Sequence, residues 1–336
     1  MPLQRPFVVS PALFWVAVYA AGPVLAQATA PAPVTGDQVV STFEQINGVH
    51  AGQRRNHVKG VCASGEFIGT PAAAALSRSE LFAGQPVPVV ARFSLAGGNP
   101  GAPDNSKAPR GMALQFKLPS GDIHHITMLN VPVFGAATPQ TFLDGLVAQL
   151  PDPGTGKPDA AKVQAFRASH PDTLPLAQYL ATHNPPAGYQ PSSYWGIHTF
   201  QFIDKAGKVT LVRWRFAPQG GERTMADEDL RAAGPQFLDR SLSDALKQAP
   251  ARWDMVVSLG EPEDARNNAT QPWPAERKTF VAGTLTLSKT DARETCELIN
   301  FNPLIMTDGV APTNDPVLMF RAEAYAASYV KRFTGR

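Results

Sequence analysis

The sequence has little cysteine and little charge, and these shortages exclude several classes of protein. Two cysteines in 336 residues cannot build a disulfide-rich scaffold, and no CxxC or CxxH pair is present to hold a structural zinc ion. Charged residues make up 17% of the chain and give a net charge of +2, without the clustered excess of lysine and arginine that marks a nucleic-acid binder. The 32 prolines and 27 glycines are unfavourable for a helical bundle or a coiled coil.

Long apolar runs are also scarce, and the one that is present lies at the N-terminus, over residues 7–25. It follows a single basic residue, is interrupted by Pro11, and ends at Val24-Leu25-Ala26, which suits a signal-peptidase site. The pattern favours a cleaved secretory signal over residues 1–26, and an uncleaved membrane anchor is the alternative. We therefore expect a periplasmic or secreted protein with no stable membrane association after cleavage and no nucleic-acid partner.

Export would place the two cysteines, Cys62 and Cys296, in an oxidising compartment where a disulfide can form. Their separation along the chain does not show whether they meet. A disulfide and two free buried thiols both remain open from the sequence.

Alternating segments rich in Val, Phe, Ile and Thr predict eight short strands in two groups of four, with helices between and after them. The predicted strands are 58–69, 86–95, 111–118, 122–130, 197–204, 208–217, 252–260 and 279–288. The predicted helices are 36–45, 139–150, 159–183 with an interruption near Asp172, 224–248 and 315–333. The pattern predicts an α+β fold in which an antiparallel sheet closes into an eight-stranded β-barrel with additional helices. We expect a flexible segment over 27–36, followed by one domain over 37–336.

Motifs of the common hydrolases, metalloproteases and nucleotide-binding enzymes are missing, since the chain has no GxSxG, HExxH or GxGxxG. Among the seven histidines, His57 is distinctive because it lies in Arg-Arg-Asn-His-Val-Lys-Gly, at the entrance to the first predicted strand. The run 56–61 resembles the distal-histidine segment of haem catalases. Further segments resemble the same family in the same order: 88–94, 108–116, 131–134 with Phe142 eight residues on, 196–200, 301–303 and a tail from Asp315 through Arg321-x-x-x-Tyr325.

The resemblance covers residues 37–336 and extends to the short, exported catalase-related peroxidases of the catalase superfamily. It implies a haem b cofactor with its iron bound by Tyr325, because a tyrosinate is one of the known axial ligands of haem. Arg321 lies four residues earlier on the same helix face, where a guanidinium can stabilise a phenolate. The resemblance also implies that His198 and Asp315 tune this arginine. Tyr329 is the rival ligand, but no arginine lies four residues before it.

On the distal side, the resemblance implies that His57 takes a proton from one peroxide oxygen and returns it to the other, as an imidazole can do near neutral pH. Ser94 would hold the imidazole. The family holds the haem propionates with arginines and packs aromatic rings against the porphyrin. The matching residues are Arg54, Arg92 and Arg332 for the propionates, and Phe134 and Phe142 for the porphyrin.

One position departs from the family. Catalases have a distal asparagine that orients peroxide together with the histidine, and spacing back from Pro132 gives Leu129 at that position. Asn130 is one residue later, and one step along a strand turns a side chain to the other face. Either a bulge brings Asn130 into the pocket as a catalytic residue, or the pocket lacks the amide, which would weaken disproportionation of two peroxides.

The predicted function is a haem-dependent peroxidase that uses hydrogen peroxide or organic peroxides and a small organic reductant. The alternatives are a true catalase, a hydroperoxide rearrangement similar to that of allene oxide synthase, and a non-enzymatic periplasmic haem carrier. The chain lacks the longer N-terminal arm, wrapping segment and helical domain of full catalases, so we expect a monomer or a small homo-oligomer.

Overall fold

A computed structural model describes residues 1–3 and 32–334 of the chain. The predicted signal peptide lies almost wholly outside the described residues, as do residues 27–31 of the predicted flexible segment. The folded unit begins at Val34, and Thr35 already caps the first helix by accepting a hydrogen bond from the Gln38 amide. Within the described ranges, no helix combines the length and the apolar character needed to cross a bilayer.

The described residues form ten strands, nine α-helices and two short 3-10 helices. The strands are β1 (Gly60–Gly69), β2 (Pro86–Leu95), β3 (Arg110–Lys117), β4 (Ile123–Leu129), β5 (Tyr194–Trp195), β6 (Phe200–Ile203), β7 (Val209–Pro218), β8 (Ala251–Leu259), β9 (Thr279–Asp291) and β10 (Val310–Pro312). The helices are α1 (Gly36–Asn47), α2 (Pro71–Ala74), α3 (Pro139–Val147), α4 (Ala160–Ser169), α5 (Leu174–Thr182), α6 (Asp227–Ala232), α7 (Leu238–Gln248), α8 (Glu294–Glu297) and α9 (Pro316–Thr334).

The sheet closes on itself. Its strand order is β10-β6-β7-β5-β4-β3-β2-β1-β9-β8, and the further pairing of β7 with β8 joins eight of these strands into a ring. Every pairing is antiparallel, so the predicted eight-stranded closed barrel is confirmed. Buried aromatic side chains fill the interior, among them Phe67, Phe93, Tyr194 and Trp253. The barrel is therefore a packed core, and binding sites have to lie outside it or at its rims.

The fifth strand differs from the prediction. Of the predicted strand 197–204, only β6 forms, and it lies beside the ring rather than in it. The two-residue strand β5 takes the ring position. Ile197 then leaves the extended conformation with a φ of 46°, which ends the strand before His198.

The predicted helix 224–248 is two helices, α6 and α7, because Pro235 lies between them and cannot donate a backbone hydrogen bond. The carboxylate of Asp104 caps the second helix from another part of the chain. It accepts hydrogen bonds from the Phe237 amide at 2.7 Å and the Leu238 amide at 2.9 Å.

The two cysteines form a disulfide. Cys62 on β1 and Cys296 in α8 have Cα atoms 5.6 Å apart and are separated by 234 residues along the chain. The pairing that the sequence left open is thus present, and it fixes the short helix α8 to the barrel wall.

Candidate active site

One rim of the barrel brings together residues that are far apart in sequence. Ser94 near the end of β2 pairs with Gly60 of β1 and with Gly111 of β3. Gly111 pairs in turn with Leu129 of β4, which pairs with Trp195 of β5. Directly opposed residues of antiparallel strands lie about 5 Å apart. The register alone therefore places these positions in one continuous row.

His57 lies at this rim, in the turn that leads into β1. Its φ of 54° is in the left-handed region, which is uncommon for a residue other than glycine. The Asn56 side chain stabilises the turn, since its Oδ1 accepts hydrogen bonds from the His57 amide at 2.9 Å and the Gly97 amide at 2.8 Å. The Nδ1 atom of His57 lies 3.0 Å from the Ser94 hydroxyl, as the sequence predicted. A Cβ at Gly111 would lie 2.7 Å from that hydroxyl, so only glycine fits beside the pair.

The electrostatic surroundings keep His57 neutral. Burial, followed by the nearby positive charges of Arg92, Arg321 and Arg54, lowers the pKa of His57 from 6.5 to about 3. At neutral pH the imidazole therefore carries no charge. With Nδ1 engaged by Ser94, Nε2 is the ring nitrogen available for proton transfer.

Helix α9 supplies the second group of polar side chains. Arg321 and Tyr325 are one helical turn apart, and the arginine Nη2 donates to the tyrosine hydroxyl at 2.6 Å. The same nitrogen donates to the Thr127 hydroxyl on β4 at 2.7 Å. The pair predicted from the Arg-x-x-x-Tyr spacing is thus in hydrogen-bond contact, and Thr127 is a partner that the sequence did not reveal.

Asp315 and His198 form a buried pair at the start of α9. The His198 Nδ1 lies 2.8 Å from one Asp315 oxygen, and the other oxygen accepts from the Val317 and Leu318 amides, which caps the helix. Burial lowers the pKa of His198 despite its acidic partner, so a neutral imidazole donates to a carboxylate. Within the described chain, the buried His198 Nε2 has no hydrogen-bond partner.

The His57–Ser94 pair, the Arg321–Tyr325 pair and His198 lie on the wall of one open cavity between the barrel rim, α1 and α9. The predicted site residues on its wall are Arg54, His57, Arg92, Ser94, Phe134, Phe142, His198, Arg321, Tyr325 and Arg332. Much of the remaining wall is apolar. The rings of Phe134 and Phe142 lie 5.4 Å apart, and Phe43 of α1 packs 6.1 Å from Phe142. The wall includes Tyr325 but not Tyr329, whose ring lies beneath the Arg332 guanidinium.

Part of the wall is strongly cationic. Arg54 and Arg92 flank the Glu297 carboxylate at 3.4 and 3.3 Å, and Arg332 donates to the Glu297 carbonyl oxygen. Burial and the neighbouring arginines lower the pKa of Arg54 to about 9, a measure of how crowded the positive charges are. Two of these guanidiniums contact the one carboxylate, and the third contacts only the backbone, so the four charged groups together carry a net charge of +2. Sequence reasoning missed Glu297, whose only signal was its place next to Cys296.

Asn130 does not reach the cavity, which corrects its assignment as a catalytic residue. Its side-chain Oδ1 accepts a hydrogen bond from the Arg110 backbone amide at 2.6 Å, and its backbone N–H donates to the Arg110 carbonyl oxygen. No bulge interrupts the pairing of β3 with β4 that ends at Leu129, and Leu129 lies on the cavity wall. Of the two alternatives that the sequence left open, the structure shows the second: the pocket lacks the amide, and the apolar side chain of Leu129 occupies that position.

The cavity fits a large, flat, apolar group that carries two carboxylates. Its aromatic walls suit a ring system, and the two uncompensated positive charges match a dianion. The buried Nε of Arg332 has no hydrogen-bond partner in the described part of the chain and is a suitable donor for a carboxylate. A porphyrin with two propionates has these properties. The fold and site define a barrel protein that can hold such a group near a neutral histidine and an arginine-paired tyrosine.

Comparisons with known proteins agree with this class. A family model described as "Catalase" matches residues 24–336. The catalase-related peroxidase of Synechococcus elongatus is 50% identical over 304 residues, which cover 90% of this chain and 90% of that protein. The protein of the same description from Mycolicibacterium paratuberculosis is 32% identical over 305 residues, covering 90% of this chain and 96% of that protein. The chain belongs to the catalase family.

A solved structure described as a bacterial catalase shares the fold, with a TM-score of 0.76 at 24% identity. The match covers 93% of this chain but 63% of that chain, so the present sequence spans less than two thirds of the catalase it resembles. The family is haem-dependent, which agrees with the fit of the cavity to a porphyrin.

Proposed function

We propose that this chain is a haem-dependent peroxidase that reduces hydrogen peroxide and oxidises a small organic donor. The observation that carries the proposal is the single cavity that contains both the His57–Ser94 pair and the Arg321–Tyr325 pair. The relative with 50% identity over nine tenths of both chains supports the same activity.

In this proposal the cofactor is haem b, which supplies the electron-transfer chemistry toward peroxide when it is bound. Tyr325 would bind the iron, and the Arg321 guanidinium would keep its hydrogen bond to the same oxygen. Arg54, Arg92 and Arg332 pair with the propionates. Phe134 and Phe142 pack against the porphyrin and exclude water from it.

His57 carries out the proton transfer. Its neutral Nε2 accepts a proton from one peroxide oxygen and delivers it to the other, so that this oxygen leaves as water. The lowered pKa of His57 keeps the imidazole in the form that can accept the proton. Ser94 holds the ring through Nδ1, which preserves its orientation during both transfers.

Leu129 favours the peroxidase reaction over disproportionation of hydrogen peroxide. A leucine offers no hydrogen bond to orient a second peroxide, whereas an organic donor needs only access and an apolar surface. The test is turnover of peroxide by the haem-loaded protein, with and without a phenolic donor. Oxygen evolution is followed in an oxygen electrode, and oxidation of the donor is measured in parallel. Donor oxidation that greatly exceeds oxygen evolution supports the proposal. Oxygen evolution as fast without a donor as with one would identify a catalase instead.

We expect Leu129→Asn to raise the rate of oxygen evolution about tenfold, the effect of one added hydrogen bond of ordinary strength. The new amide would orient the second peroxide beside His57. Leu129→Met is the matched control, since it conserves volume without adding a donor. Equal oxygen evolution by the two variants would show that this position does not set the balance between the reactions.

We also propose that residues 1–26 direct export to the periplasm or the exterior, where the Cys62–Cys296 disulfide would be stable. Sequencing of the N-terminus of the exported protein checks this. A mature chain that begins at Gln27 is the expected result, and a chain retained in the cytoplasm with its first residues intact would contradict export.

A further inference from the structure

Arg92 has contacts that an arginine reserved for a bound carboxylate would not need. Its Nη1 donates to the His57 carbonyl oxygen at 2.9 Å, and its Nη2 donates to the Val58 carbonyl oxygen at 3.0 Å. The side chain is almost fully buried. One guanidinium therefore fixes two successive carbonyl groups of the turn that carries the distal histidine.

This turn needs an external constraint. His57 has a left-handed backbone, which a β-carbon disfavours and which persists only where the surroundings hold it. The Asn56 side chain provides one constraint through the His57 amide, and Arg92 provides the other through the carbonyl side. A change in the direction of the Arg92 fork would move the His57 ring relative to Ser94.

Glu297 fixes the direction of that fork. Its Oε2 accepts from the Arg92 Nε at 3.3 Å and lies 3.8 Å from the Nε of the more exposed Arg293. Its Oε1 lies 3.4 Å from the Arg54 Nε, so the two buried arginines contact different oxygens. The Glu297 carboxylate is largely shielded from solvent. In such a shielded position, its ion pair with an arginine is stronger than it would be at the surface.

The disulfide fixes Glu297 relative to Arg92. Cys62 is the strand partner of Arg92 in the β1–β2 pairing, and Cys62 is bonded to Cys296, the residue before Glu297. The four residues thus close a small ring that consists of a strand pair, a disulfide, a peptide bond and an ion pair. Such a ring leaves the carboxylate little freedom to move away from the guanidinium.

We propose that Glu297 is a positioning residue for His57 and acts through Arg92. It holds the Arg92 fork on the two carbonyls of the turn and thereby keeps the imidazole in line for proton transfer. This inference rests on the proposed role of His57 in the peroxidase reaction. It gives Arg92 a second function besides pairing with a propionate. The two functions are compatible, because each Nη atom that donates to the turn carries another N–H that can reach a carboxylate.

The test compares Glu297→Gln with Glu294→Gln, which removes the same charge from an exposed position on the same short helix. The first readout is the second-order rate constant for the reaction of the haem-loaded protein with hydrogen peroxide. We expect Glu297→Gln to lower it about ten- to a hundredfold, the scale of a displaced catalytic group, and Glu294→Gln to leave it unchanged. Glu297→Asp, which keeps the charge on a shorter side chain, should recover part of the loss.

The second readout is hydrogen–deuterium exchange of the peptide that spans residues 54–61. Faster exchange in Glu297→Gln alone, with the barrel strands unchanged, is the expected signature of a loosened turn. Added to a His57→Ala background, Glu297→Gln should cause no further loss of rate, because its effect passes through the imidazole.

Equal rates and equal exchange for Glu297→Gln and Glu294→Gln would overturn the inference, as would a full additional loss of rate in the His57→Ala background. A His57→Ala variant that reacts as fast as the wild type would instead refute the proposed function. The exchange measurement would then still decide whether Glu297 holds the turn.

Discussion

Replacement of Tyr325 by phenylalanine is expected to lower the affinity of the protein for haem by more than about a hundredfold, because even the loss of a residue that only hydrogen-bonds to a metal ligand costs about 10–100-fold. Phenylalanine keeps the ring that packs in the cavity and removes only the oxygen that Arg321 contacts at 2.6 Å. The barrel core does not include this side chain, so the folded state should persist. Transfer of haem from the holoprotein to an apo-globin acceptor measures the change.

Tyr329→Phe is the matched control for this substitution. Tyr329 lies one turn further along α9 and belongs to neither the cavity wall nor the Arg321 contact. Its replacement should leave the affinity and the absorption spectrum unchanged. The ligand assignment is wrong if the two variants retain haem equally well, or if the spectrum changes only in Tyr329→Phe.

Replacement of His57 by alanine is expected to slow the reaction with hydrogen peroxide by about 10²–10⁴-fold, the usual contribution of a general acid–base group. Haem binding should be retained, because the group is held in this account by Tyr325 and the arginines. The measurement is the first absorbance change after rapid mixing with peroxide. His50→Ala is a suitable control, since His50 lies outside the cavity wall.

The acidity of His57 adds a pH test of the same assignment. Since its pKa in the folded protein is lowered from 6.5 to about 3, the imidazole stays neutral as the pH falls from 7 toward 4. The rate constant for peroxide should therefore be flat over this range and decline only near pH 3. A decline centred on pH 6.5 would show an exposed histidine with ordinary surroundings, which contradicts the buried site described above.

The barrel was predictable because its evidence is local. Long strands such as β7 and β8 carry their own alternation of buried and more exposed side chains, and each can be identified without its partners. The two-residue strand β5 has no such pattern, so the segment next to it was assigned to the ring in its place. The site positions Ser94 and Leu129 then follow from the register, once the strands are known to pair in order.

The residues that the sequence did not reveal depend on long-range contacts. Arg92 and Glu297 meet across 205 residues, and the cysteines that bring them together are 234 apart. Neither separation leaves a periodic signal in the chain. For Asn130 the difficulty is local rather than long-range. A shift of one residue at the end of β4 decides whether a side chain lines the cavity or bonds to a neighbouring backbone, and the sequence alone does not fix that shift.

The most direct test of the account is a titration of the purified protein with haem, followed by its absorption spectrum. The account predicts saturable binding of one haem per chain, with the spectrum of a phenolate-ligated iron that is absent in Tyr325→Phe and unchanged in Tyr329→Phe. Absence of saturable binding, or the same phenolate spectrum in Tyr325→Phe, would contradict it.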